Sequence, residues 1–94
     1  MSLSTDLRPI DVASAKQLCG SAEIVVVGDT DQVVDRYRLL RYSGVVRGKG
    51  RETFAVKDST DKFFVRSDRE LGLTSESPFR AFLATDFDSI DIRD

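Results

Sequence analysis

Asp31-Gln32-Val33-Val34-Asp35-Arg36-Tyr37-Arg38-Leu39-Leu40-Arg41-Tyr42 is the stretch on which the architecture turns. Read as a helix, it gains Thr30 as N-cap, Asp31 at the positive end of the dipole, Arg41 in the last turn and Gly44 beyond it. Val33, Val34, Tyr37 and Leu40 then form an apolar stripe. Read as a strand, it gains the β-branched and aromatic content of Val33, Val34, Tyr37 and Tyr42, but alternation breaks at Leu39-Leu40. The end signals tip the reading to a helix. A helix implies an α+β domain; a strand implies a small all-β, barrel-like one. In the helix Arg36, Arg38 and Arg41 lie beside or opposite the stripe, whereas in a strand Arg36 and Arg38 share one face and Arg41 points to the other. Both readings bring the three arginines to solvent.

Downstream the pattern is plainer. Val45-Val46-Arg47 and Arg51-Glu52-Thr53-Phe54-Ala55-Val56-Lys57 read as strands around the turn Gly48-Lys49-Gly50. Asp58-Ser59-Thr60-Asp61 is a second turn, and Lys62-Phe63-Phe64-Val65-Arg66 a third strand with an apolar centre. Upstream, Glu23-Ile24-Val25-Val26-Val27 is an unbroken β-branched run ending at Gly28-Asp29, as expected of a strand covered on both faces. Before it, Asp11 is a good N-cap. Val12, Ala15, Leu18 and Cys19 recur at helical spacing until Gly20, which predicts a helix over 12–19. Ser77-Pro78 reads as N-cap and first helical position, leading Phe79, Phe82 and Leu83 onto one face of a short helix. Asp88-Ser89-Ile90-Asp91-Ile92 alternates and suggests an acidic edge strand. Residues 1–10 show no periodicity and are expected to fray, leaving 11–94 as a single domain. The predicted architecture is α+β: an antiparallel sheet made of the 43–67 meander and the 23–27 strand, with short helices on one face.

The chain has 94 residues, 40% hydrophobic and 32% charged, which suits one core, since chains divide only beyond ~250 residues. No apolar run approaches a membrane span and residues 1–10 lack the pattern of a secretion signal, so the expectation is a cytoplasmic protein without a membrane partner. One cysteine and no histidine argue against cysteine-based zinc sites and histidine acid/base chemistry. Cys19 lacks a base to form thiolate and reads as an ordinary core thiol. Two acidic groups, Asp29, Asp31, Asp35 and Asp86, Asp88, Asp91, fit no calcium-loop register and read as capping and solvating residues. No cofactor, metal or catalytic residue is expected. No stretch is long enough to carry a family resemblance.

The 14 basic and 16 acidic residues are segregated. Residues 36–57 hold Arg36, Arg38, Arg41, Arg47, Lys49, Arg51 and Lys57 against Glu52 alone, while both flanks are acidic. Such a block attracts phosphate or carboxylate. Arg47-Gly48-Lys49-Gly50-Arg51 resembles an anion-contacting turn more than a P-loop, because no helix follows it. Tyr42 stands among the arginines, where a ring can stack on an unpaired base. Arg36, Arg38, Arg41, Tyr42, Arg47, Lys49 and Arg51 are therefore the candidate anion- or nucleic-acid-binding residues. The expected function is a non-enzymatic binding module that engages an anionic partner, nucleic acid, through a basic hairpin. The alternative is a protein-interaction or homo-oligomeric assembly subunit whose acidic flanks meet the basic block of another chain.

Overall fold

In the computed structural model, residues 8–46 and 50–91 of the chain are described. Helix α1 (Val12–Leu18) begins where the sequence places it, the Asp11 carboxylate accepting the Ser14 backbone N–H at 2.8 Å. It ends at Cys19, and Gly20, with φ of 96°, turns the chain away. β1 (Glu23–Val27) follows, its four valine and isoleucine side chains all buried.

Residues 31–42 are not a helix. From Val33 onward they form β2 (Val33–Val45), the longest strand among the described residues. The polar residues that resemble a helix start build a hairpin turn instead. The Gly28 N–H donates to the Gln32 carbonyl at 2.9 Å, the Asp31 N–H to the Gly28 carbonyl at 3.0 Å, and Asp31 takes the left-handed φ of 65°. That turn lays β2 against β1, whose apolar faces need a neighbour. The broken alternation at Leu39-Leu40 is a β-bulge: the register steps from Leu39 opposite Val56 to Arg41 opposite Ala55. Leu40 is the extra residue. Tyr37, Leu39 and Tyr42 thereby stay on one face, and Arg41 joins Arg36 and Arg38 on the other. A regular strand would have separated Arg41 from them.

β3 (Glu52–Asp58) and β4 (Phe63–Ser67) complete the meander, joined by a turn of the same form. The Asp58 N–H donates to the Lys62 carbonyl at 2.9 Å and Asp61 sits at φ 66°. The last third differs from the sequence reading. Residues 80–83 form β5 (Arg80–Leu83), not a helix, and 88–91 lie in α2 (Ala84–Asp91), not in an edge strand. The Ser77 hydroxyl does accept the Phe79 N–H at 3.0 Å, so the local cap-like signal is real, but no helix follows. Pairing with β1 decides the outcome: Ala81 and Leu83 share the face of Val26 and Ile24, and Phe82 shares that of Val25. A segment buried on both sides beside an apolar strand is better satisfied by the ladder.

The sheet order is β4-β3-β2-β1-β5, every pair antiparallel, and its two edges do not meet, so it is open and not a barrel. The helices cover opposite faces rather than one. On the first, α1 contributes Ala15 to a core with Ile24, Val26, Tyr37, Leu39, Phe54 and Val56, roofed by Leu71 and Leu73 from the β4–β5 loop. Gly72 shapes that loop: at φ 74°, a Cβ there would lie 2.8 Å from the Arg80 backbone. On the second face α2 packs Ala84 and Phe87 over Val25, Val27 and Phe82, with the Phe82 and Phe87 rings stacked at 6.3 Å. Ile10, just before Asp11, is also core, and its N–H donates to the Ala81 carbonyl at 2.7 Å.

Candidate functional site

α2 covers only the β1–β5 half of the second face. Over β2, β3 and β4 no described element covers that face, and the register defines what it displays. Phe63 pairs with Lys57, Lys57 with Arg38, and Arg38 with Glu23, making one row across four strands. The next row is Val65, Ala55 and Arg41. Arg36 lies on the same face opposite Val25, at the border with α2.

The charges on this face are unevenly matched. The Arg36 guanidinium lies 3.6 Å from Glu23, and Lys57 3.6 Å from Asp61. Arg38 and Arg41 are exposed and, among the described residues, have no acidic partner. Beside them Phe63 and Val65 are 72% and 62% exposed, the two most exposed large apolar side chains described. In the sequence Phe63 and Val65 stand out only as the apolar centre of a strand. Their signal is the period of two: once Phe64 turns to the core side, Phe63 and Val65 face the other way. Lys57 was visible only as one charge of the basic block.

The other candidate residues separate. Tyr42 lies on the first face, away from Arg36, Arg38 and Arg41. Its ring meets Phe54 edge-on at 5.4 Å, its hydroxyl donates to the Glu52 carboxylate at 2.8 Å, and the Lys16 ammonium sits 4.5 Å over the ring. Lys16 also pairs with Glu52 at 2.6 Å. These bonds, that from Lys16 foremost, hold the Glu52 carboxyl below its ordinary range, and the neighbouring carboxylate pushes Tyr42 and Lys16 up. Tyr42 is thus a supporting residue of the α1 face. Arg51 is turned toward Asp68 and Glu76, at 3.8 and 3.9 Å. Arg47 and Lys49 lie outside the described residues.

Among the described residues, the groups singled out as possible catalytic or metal-binding side chains are engaged elsewhere. The Cys19 thiol donates to the Ala15 carbonyl at 3.3 Å, and burial raises its pKa, the direction opposite to that of a nucleophile. Asp31 pairs with Arg80, and Asp35 accepts from its neighbour's N–H and from the Ser59 hydroxyl. Among the described residues no three His, Cys, Asp or Glu side chains converge on a metal-sized site, and no helix is long and apolar enough to cross a membrane. What the open face displays is a set of long cations at strand spacing with an accessible ring beside them. Compared with family models, with curated proteins and with solved structures, the chain finds no match.

Proposed function

We propose that this chain is a non-enzymatic binding module that engages an anionic polymer, nucleic acid, through the arms of its basic β2–β3 hairpin. The observation that carries the reading is the placement of Arg38, Arg41 and Lys57 on one uncovered face, with Arg38 and Arg41 lacking an acidic partner among the described residues. Had the sheet used its cations to satisfy its own carboxylates, these two would be paired. Cations left to solvent attract phosphates and release counterions when they meet them.

Binding to fluorescent oligonucleotides across a salt series tests this. Arg38→Gln/Arg41→Gln leaves the buried residues untouched, so folding should persist. Removing two phosphate contacts should flatten the slope of log affinity against log salt by about 1.4 for a single strand or about 1.8 for a duplex. Absence of binding at low salt, or a slope that does not change, sinks the reading.

A second reading has its own observation. β4 is an edge strand with no neighbour on its outer side among the described residues, whereas the β5 edge is partly covered by the Ile10 N–H. Assembly by strand addition at β4 is the alternative function, and it predicts a change of mass in solution without salt-dependent oligonucleotide binding.

A further inference from the structure

We infer that the partner of the open face is a single-stranded nucleic acid, with an unpaired base stacked on Phe63 and phosphates held by Lys57, Arg38 and Arg41. The inference rests on the anion-binding reading above and adds the identity of the strand. Phe63 and Lys57 are cross-strand partners, and so are Lys57 and Arg38. Adjacent strands lie about 4.8 Å apart, so ring, ammonium and guanidinium follow one another across roughly 10 Å. Val65 and Arg41 repeat the apolar-to-cationic order one row along, with Ala55 between them. The face is therefore apolar along β4 and cationic along β2. A single strand has the same division, bases on one side and phosphates on the other. The patch has room for about two or three nucleotides, the span a sheet face commonly takes.

Other occupants fit less well. A duplex keeps its bases stacked inside, so it would meet the cations and leave Phe63 in water. A second copy laid face to face would set Arg38, Arg41 and Lys57 against the same cations, and such like-charge contact is strongly unfavourable. An acidic polypeptide would satisfy the arginines but has no planar ring system to match an exposed phenyl at each step. Stacking on an aromatic ring is, by contrast, available from every base.

The chain contains no tryptophan, which makes the test direct. Phe63→Trp introduces a lone indole at a 72% exposed position, where replacement leaves the core untouched. Its fluorescence should be quenched on adding an oligodeoxythymidine of about ten nucleotides, long enough to cover one site, and should change little with heparin, a polyanion without bases. Phe63→Ala should weaken oligodeoxythymidine binding about five- to a hundred-fold, Phe63→Tyr should restore it, and heparin affinity should stay unchanged in both. Circular dichroism verifies that each variant is folded. If Phe63→Ala binds as well as wild type and the indole is not quenched, while Arg38→Gln/Arg41→Gln still weakens binding, the stacking inference is overturned and the anion-binding reading stands. If wild type binds neither oligonucleotide, duplex nor heparin at low salt, both fall. If Phe63→Ala alters only the mass in solution, the surface serves a second copy and the inference is overturned.

Discussion

Glu52 shows how much a single side chain can organise. It is the one acidic residue within the basic block of 36–57, and it faces away from the arginines, receiving Lys16 from α1 and the Tyr42 hydroxyl from β2. Its carboxyl is held below its ordinary value of 4.5, so its contribution to stability is complete above that pH and is lost as pH falls through the lower, folded-state value. Lys16 and Tyr42 are raised from 10.5 and 10.0, so their share is complete below those values and fades as pH rises through the folded ones. The group therefore stabilises the fold across the range between. Glu52→Gln removes the linkage at both ends. Urea unfolding across pH should give a difference between wild type and variant that is largest near neutrality and shrinks in acid and in strong alkali. A difference that stays constant with pH would contradict the assignment. The same contacts engage the Tyr42 ring and hydroxyl on the core side of the sheet, away from Arg38 and Arg41.

At the scale of elements, the bulge in β2 determines which residues can act together. Because Leu40 is surplus to the ladder, deleting it should leave Tyr42 on the core face and Arg41 on the open one. The loss is that of a half-buried leucine, about 1–2 kcal/mol, and unfolding should remain cooperative in thermal melts. Deleting Ala55, directly across from Arg41, sets the buried Phe54 and Val56 next to each other in a strand with no spare residue. One of them must leave the core, so that variant should lose about 3 kcal/mol or more, or fail to fold. Equal effects of the two deletions would contradict the bulge. This element also shows what was legible. α1, β1 and the β3–β4 pair follow from local signals, since capping, β-branched runs and turn residues agree there. β2 did not, because Thr30-Asp31 serves a helix cap and a hairpin turn equally well. Gly28-Asp29-Thr30-Asp31-Gln32 nevertheless matches Asp58-Ser59-Thr60-Asp61-Lys62 in its Thr-Asp pair, and both place that Asp at positive φ. β5 was hidden for another reason: its state is decided by pairing with β1, which no local window contains. The three arginines were found from charge alone, yet the face they share depends on the bulge, and Phe63 needed the strand period to be seen.

Over the whole molecule, α1 and the Leu71–Leu73 loop roof the core on one sheet face, whereas on the other the described residues roof only β1 and β5. α2 is the half-roof, and Phe87 is its main anchor against Phe82, Val25 and Val27. Phe87→Ala should lower stability by about 3 kcal/mol, and, by freeing α2, should expose those three side chains to a hydrophobic dye; both are read by denaturant titration with and without the dye. An unchanged midpoint would mean that α2 adds nothing to the fold. If the open face binds as proposed, binding should survive this change at permissive temperature, because Phe63, Lys57, Arg38 and Arg41 are not among the residues of that cluster.

The strand order also sets a sequence in time. β1 to β4 are each neighbours in the chain and in the sheet, joined by short turns, whereas β5 must return from the far end to pair with β1. Closing that long loop is the entropically slow part of folding. The hairpins that carry the arginines can therefore assemble first, and β5 with α2 dock onto them as the closing step. Opened from the native state, the same molecule should release its last-joined pieces first, so amide exchange should begin at β5 and α2 while the β2–β3 ladder is still protected.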